Sequence, residues 1–455
     1  MSAFLWTLIH RVDVSSGANG IRPMRAYILR RLLLIPITLL GITFIVFSIT
    51  RFLPGGPLEQ ALQQATMAEN GRNSKAAGAG SLSPEQLEQM RMSFGMNENI
   101  GTGYLMWLGF LPREYNPRFV DLDSEKDRTL VLLSSTDAAG KAASLKAYIK
   151  GRDGKPLLLE LEDGSAPAGW QVRYGRNVPS GEEAKSKEPG EDHSRAVVSQ
   201  SKFAGLIEGD LQDSLIYGDP VGQVIRERLP VSIFYGLLTA LLTYSISIPL
   251  GILKAIKHRT WIDNWSSVLL FVGYSIPGFA IGSLLLLWFA FQRDWFPISG
   301  FVSGNFSELS GFDKVKDLLH HAVLPLICYL MSAFALTTMM MKNSIMDVLA
   351  SDYIRTAVAK GASFRRAIIG HAFRNSIIPI AATFGQLLAA LVSGSFLIES
   401  VFDINGAGLL GFTAATHSDY NVMMGILFLS SSMLMLGNIL SDILLALVNP
   451  RIRFE

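Results

Sequence analysis

Between two long apolar runs lies a cationic segment in which Lys342, Arg355, Lys360, Arg365, Arg366 and Arg374 face only Asp347 and Asp352 as acids. Side chains of this kind can bind a partner or a charged surface. Ile345, Val348, Leu349 and Tyr353 recur at helical spacing, so a helix is expected to continue out of the upstream run with one apolar stripe. Gly361 permits a sharp change of direction, and Ser363 is placed to cap a second short helix bearing Arg365 and Arg366. Two uses fit this pattern equally. One is a projecting helix-turn-helix that seats in a cleft of a partner protein and passes its movement to the flanking runs. The other is a set of anchors at anionic lipid headgroups.

Other chemistries find few residues to work with. No G-x-x-x-x-G-K-[ST] phosphate loop occurs, since Gly140-Lys141 and Gly154-Lys155 lack both the upstream glycine and the following hydroxyl. The single cysteine, Cys328, leaves no disulfide framework and no metal cluster, and is expected to pack. Ionisable groups at mid-membrane cost roughly 2.5 to 3.5 kcal/mol each, and the apolar cores contain no Asp, Glu, Lys, Arg or His, which argues against a proton-driven pump. The nearest acids, Glu399 and Asp442, are expected at run ends within reach of water. The 40 basic and 38 acidic residues nearly balance, so net charge identifies no partner, and nucleic acid is not expected to be one. The chain is not expected to be an enzyme; any nucleotide hydrolysis must come from another subunit.

The elements that carry these residues follow from length and charge. About 20 apolar residues, each rising about 1.5 Å, cross the hydrocarbon core of a bilayer. Six runs reach that length, at 32–52, 229–253, 266–291, 322–342, 376–398 and 420–448. The 343–375 loop then shares one side with Arg22, Arg25, Arg30, Arg31, Lys254, Lys257, Arg259, Arg451 and Arg453. By the positive-inside rule that side is cytoplasmic, and so are the termini 1–31 and 449–455. Glu399, Asp403 and Asp419 fall outside, without Lys or Arg between them. An all-α polytopic membrane protein is therefore expected, since a soluble protein needs neither so many long runs nor so consistent a bias. The first run is too long for a signal-peptide core, and 51–57 offers no small-x-small cleavage site, so it reads as a retained anchor. Residues before Met24 read as a short interfacial helix or, preferably, as the product of an upstream start codon.

The outer loop at 53–228 is long enough to fold by itself. Ser83, with Glu85 and Gln86 behind it, is placed to start a helix. Runs at 129–134, 145–150, 156–162 and 170–176 read as short strands, separated by turn formers such as Gly151-Arg152-Asp153-Gly154-Lys155. Together they predict a small β-rich module at about 112–204. Residues 179–194 are rich in Glu, Lys, Ser and Gly and are expected to be an unstructured linker.

The segment from Asp352 through Gly361 to His371, Arg374, Asn375 and Pro379 resembles the cytoplasmic coupling loop of permease subunits in bacterial dipeptide and oligopeptide ABC importers. Further landmarks resemble the same family: Ile28-Leu29-Arg30-Arg31-Leu32, Pro54-Gly55-Gly56-Pro57, Ser275-Ile276-Pro277-Gly278-Phe279, Pro297-Ile298-Ser299-Gly300 and Leu324-Pro325. So do Glu399-Ser400-Val401-Phe402 with Gly406-Ala407-Gly408, and Asn449-Pro450-Arg451. The likeness runs over residues 24–109 and 205–455. Gly56 stands where the family often has an acid, and Asn405 where proline is common. Arg355-Thr356-Ala357 replaces the Glu-Ala-Ala of importers of other substrates, a variant usual among peptide permeases. The inserted module resembles, loosely, the enlarged outer loop of the branch associated with larger peptides and microcin uptake.

This resemblance implies the type I ABC importer fold in the bacterial inner membrane. It also implies a second permease subunit, two ATPase subunits and a periplasmic peptide-binding protein as partners. ATP and Mg would belong to the ATPases, with no cofactor on this chain. The candidate ATPase contacts are Asp352, Tyr353, Arg355, Thr356, Ala357, Lys360, Gly361, Arg365, Arg366, His371 and Asn375. Gln386, Ser393 and Ser395 are candidates for the translocation path, although polar residues within spans more often bond between helices. Gly209, Asp210 and Glu399 are candidates for docking the binding protein. A same-fold importer of nickel, glutathione or oligosaccharide, and an ion-coupled carrier, stand as alternatives.

Overall fold

Runs of Leu, Ile, Val and Phe uninterrupted by charge fold as long helices. The computed structural model describes residues 22–52, 99–122, 128–136, 142–151, 156–177 and 190–448. In chain order the first elements are α1 (Arg22–Phe52), α2 (Ile100–Leu108) and the strands β1 (Arg113–Asp121), β2 (Arg128–Thr136), β3 (Ala142–Lys150), β4 (Leu158–Leu161), β5 (Trp170–Asn177) and β6 (Gly190–Lys202). Then come α3 (Val221–Ile256), α4 (Trp261–Ser275), α5 (Gly278–Leu285), a π-helical turn (Leu286–Phe291) and α6 (Gly311–Leu349). The rest is α7 (Asp352–Ala359), α8 (Phe364–Ala367), a second π turn (Ile368–Ala372), α9 (Phe373–Ser376), α10 (Ile378–Ser393), α11 (Phe396–Val401), α12 (Ala407–Thr416) and α13 (Tyr420–Val448).

Four stretches are long and apolar enough to cross a bilayer without a sharp bend: Tyr27–Arg51, Val221–Ile256, Ile378–Val401, which joins α10 to α11, and Tyr420–Val448. Two more are bent pairs, so the total is six if each pair is one span. The run expected as a single span at 266–291 is broken by 93° between α4 and the stretch Gly278–Phe291. Pro277 has no N–H to continue the ladder, and its ring drives Ile276 into extended backbone at φ −95° and ψ 127°. Helix α6 bends by 46° between Met331 and Ala333. At 39 residues it is about 58 Å long, well beyond the hydrocarbon core, so part of it must project into water.

The chain divides into two compact units. The larger joins residues up to Thr43 with Ser214–Thr416 and the chain from Tyr420 onward. In it α3 and α6 pack side by side in the same direction, with the Ser247 hydroxyl donating to the Phe334 carbonyl at 3.2 Å and Gly251 set against Thr338 and Met341. Helices α10 and α13 approach at Gly385 and Gly437. There the Gly385 N–H donates to the Ser441 hydroxyl at 2.6 Å.

The second unit comprises Phe44–Asp213 with His417–Asp419. Its aromatic cluster sets Tyr104 of α2 against Phe44 and Phe47, at 5.2 and 5.6 Å between ring centres, and stacks Tyr104 on Trp107 at 5.9 Å. Its strands form two antiparallel three-stranded sheets, ordered β1-β6-β5 and β2-β3-β4. Val131, Leu133, Ala147, Ile149 and Leu159 of one meet Ala196 and Val198 of the other in a shared core. Strands β1 and β6 lie outside the four runs expected from sequence. Residues 190–194, expected as linker, instead open β6, pairing Gly190 with Asn177 and Asp192 with Gly175. The helix start expected at Ser83 lies outside the described residues, as do the Pro54-Gly55-Gly56-Pro57 and Asn449-Pro450-Arg451 motifs and everything before Arg22.

Candidate coupling site

The segment after α6 is a compact folded block with one apolar and one charged side. Ser351 starts α7, its hydroxyl donating to the Val348 carbonyl at 2.5 Å. Only Ile354 of α7 is buried, whereas the side chains of Asp352 and Arg355 are 99% and 73% exposed. Gly361 closes the helix at φ +90°, with its N–H donating to Val358 and that of Ala362 to Ala357. This pairing of bonds around a left-handed residue is the Schellman stop, which a side chain at this position would strain. Ser363 then caps α8, its hydroxyl accepting from the Arg366 N–H at 3.4 Å.

Apolar packing holds the block in place. Ile354, Ala367, Ile368 and Ala372 form one core with Ala255 of α3, Met341 and Ile345 of α6 and Ile380 of α10. Directional bonds fix its edges: Asn375 Nδ2 donates to the Tyr353 hydroxyl at 2.8 Å, Ser376 Oγ to the Ser344 carbonyl at 3.2 Å, and Arg374 Nε to the Val448 carbonyl at 2.7 Å. Arg355, Thr356, Lys360, Gly361, Arg365, Arg366 and His371 are exposed, and Ala357 is half-buried. The site residues thus fall into two groups. Tyr353 and Asn375 bond to each other, while the cations face outward.

A charged cluster that sequence reasoning missed lies beside this core. Lys254 is fully buried, and its Nζ donates to the Asp263 carbonyl at 2.9 Å, Ser266 Oγ at 2.7 Å and Ser267 Oγ at 2.8 Å. Asp263 receives Lys342 Nζ at 2.7 and 2.9 Å on its two carboxylate oxygens and the Arg259 N–H at 3.0 Å. His258 Nδ1 is 3.3 Å away. Asp263 also sits in the first turn of α4, where the helix dipole favours an anion. The sequence signal was an acid nine residues beyond a lysine at the end of an apolar run, which is too common to single out.

Glu399 is no surface acid. It is 1% exposed, and its carboxylate accepts the N–H of Leu409 at 2.6 Å and of Ser395 at 3.1 Å, with the Tyr329 hydroxyl at 3.5 Å. Gly394, at φ +58°, and Gly406 line it so closely that an added Cβ on either would meet the carboxylate. The expectation that Glu399 docks a partner, or that water reaches it, is corrected: it is an internal staple joining α11 to the start of α12. Asp442 is likewise enclosed, its side chain 13% exposed and paired with Arg31 and the Tyr27 hydroxyl.

The remaining candidates are carried by other elements. Gln386 and Ser393 are exposed on α10, in line with Ala382 and Ala390 at helical spacing, and Ser395 is half-buried. In the second unit Gly209 is exposed, while Asp210 accepts the Tyr115 hydroxyl at 3.1 Å and the Gln212 N–H at 2.7 Å. Burial, aided by the Asp210 charge, pushes the Tyr115 hydroxyl up to about 12, so it remains a donor. No cluster of metal-ligating side chains occurs among the described residues.

Residues 247–454 match the family described as binding-protein-dependent transport system inner membrane component. The chain is similar to the Peptidoglycan transport system permease protein YejB of Agrobacterium fabrum, with 34% identity over 435 residues, 95% of this chain and 99% of the relative. It is also similar to the Inner membrane ABC transporter permease protein YejB of Escherichia coli O157:H7, with 34% identity over 435 residues, 95% of this chain and all of the relative. The Oligopeptide transport system permease protein AppB of Bacillus subtilis is 34% identical over 311 residues, 67% of this chain and 92% of the relative.

Proposed function

Because this chain belongs to the family of binding-protein-dependent transport permeases, we propose that it forms half of the membrane path of an ATP-driven peptide importer. Its partners on this reading are a second permease subunit, two ATPase subunits and a periplasmic binding protein that delivers the peptide. ATP and Mg are held by the ATPases, and this chain makes no bond change. Both termini and the coupling block face the cytoplasm, in keeping with the cations there.

One observation carries the reading. The block from Asp352 to Ser376 turns Arg355, Lys360, Arg365 and Arg366 outward while its underside is packed into α3, α6 and α10. A partner that grips the charged side therefore moves three spans at once. Lipid anchoring alone needs no such internal bracing. Gln386 and Ser393, with small neighbours on the same face of α10, are the proposed lining of the path. Asp210 and Gly209 are proposed to face the binding protein.

The first two relatives match 95% of this chain, so they span its inserted module, whereas the match to the oligopeptide permease covers 67%. One of those two is named for peptidoglycan. Peptide-bearing cell-wall fragments are thus a second cargo to try beside plain oligopeptides. The experiment is uptake of labelled oligopeptide and of a cell-wall peptide fragment into proteoliposomes holding the whole complex. The expected result is ATP-dependent uptake that disappears in the double variant Arg365→Glu, Arg366→Glu. Full uptake by that variant would count against the coupling role, as for an ion-driven carrier.

A further inference from the structure

The coupling block rests on apolar contacts, and apolar contacts hold surfaces together without fixing their register. What fixes register is directional bonding. The block's own directional bonds tie it to Ser344 of α6 and Val448 of α13; the charged bonds that tie α6 in turn to α3 and α4 are those of Lys254, Asp263 and Lys342. Met341 and Ile345 of α6 and Ala255 of α3 lie in the core beneath the block. Lys342 and Lys254 are their chain neighbours, and both ammonium groups converge on one carboxylate. All three polar hydrogens of Lys254 find neutral oxygens within 2.9 Å, two of them on hydroxyls of α4. Asp263 therefore joins three elements, α3, α4 and the lower half of α6, at the level of the coupling block.

Above that level α6 bends by 46° between Met331 and Ala333, and α4 breaks from α5 by 93° at Pro277. Resting on the importer reading above, we infer that Asp263 is a positioning residue for energy coupling. It locks the lower half of α6 to the α3–α4 turn, so that force on the block moves these elements as one body and bending is confined to the two breaks. Without the lock, the lower half of α6 is held to α3 only by the Ser247–Phe334 hydrogen bond and by packing at Gly251, and yields under load so that part of the movement is lost. ATP is then spent without a matching import step.

The test is the ratio of ATP hydrolysed to peptide imported by the complete complex in proteoliposomes. For Asp263→Asn the ratio rises about tenfold, within the range by which residues between two coupled sites alter their coupling. Lys342→Gln raises it less, and Lys342→Arg, which keeps the charge and the two-oxygen contact, returns it near the unaltered value. The double variant Asp263→Asn, Lys342→Gln is no worse than Asp263→Asn alone, because both remove one interaction.

An unchanged ratio in Asp263→Asn, or hydrolysis and uptake falling in proportion, overturns the inference. If Asp263→Asn does not assemble, the contrast between Lys342→Gln and Lys342→Arg decides, and equal ratios there overturn it. The failure of the importer reading is distinct: it is the absence of ATP-dependent uptake by the unaltered chain.

Discussion

A carboxylate inside a helix bundle survives only where hydrogen bonds replace the water it has lost. Glu399 meets that condition with two backbone N–H groups and a tyrosine. Replacing it by alanine leaves those donors buried without an acceptor. Glu399→Ala is expected to destabilise the subunit by about 3 kcal/mol, with Glu399→Gln costing less because one oxygen remains. Thermal unfolding in detergent checks the order, and an alanine variant as stable as the parent contradicts the staple. The acid was visible in the sequence, but its environment was not. Its donors come from Ser395, four residues before it, and Leu409, ten residues after it, and Tyr329 lies on a different helix. Lys254, Asp263 and Lys342 were hidden for the same reason, since nothing local in the chain says that nine and 79 residues of separation close onto one carboxylate. By contrast the turn at Gly361 and the cap at Ser363 are local backbone requirements, and the residue types alone disclose them.

Among the elements, long apolar helices were the readable part, because a charge-free run has few alternatives. Their contacts depend on smaller features. Gly385 of α10 meets the backbone of Gly437 on α13, where an added Cβ would sit 2.5 Å from the Gly437 carbonyl carbon. Gly385→Ala is therefore expected to cost about 1–3 kcal/mol by overpacking. It should also expose α10 to protease, and a parent-like melting point would contradict the close approach. Two strands escaped sequence reading for physical reasons. Strand β1 carries Pro117 and a register shift between Tyr115 and Arg118, which an edge strand tolerates but a period-two pattern conceals. The first third of β6, where Glu191 lies opposite Arg176 and Asp192 opposite Gly175, is polar and carries no apolar alternation to mark it as a strand. The module these strands build is proposed to contact the binding protein or close the outer mouth. Deleting residues 118–197 should lower binding-protein-dependent uptake while the membrane complex still assembles. Full transport by the deletion variant would reduce the module to a tolerated surface insertion.

At the scale of the whole molecule, the chain has spans, an outward cationic block and no nucleotide-binding loop of its own. On the proposed reading its driving force comes from separate ATPase subunits. The central claim is accordingly one of assembly. Its most direct measurement is purification of the tagged chain from native membranes in gentle detergent, with mass spectrometry of whatever accompanies it. The prediction is a different permease subunit together with phosphate-loop ATPases, the ATPases lost selectively from the Arg365→Glu, Arg366→Glu variant. Reproducible recovery of the chain alone, or only with copies of itself, would contradict the account.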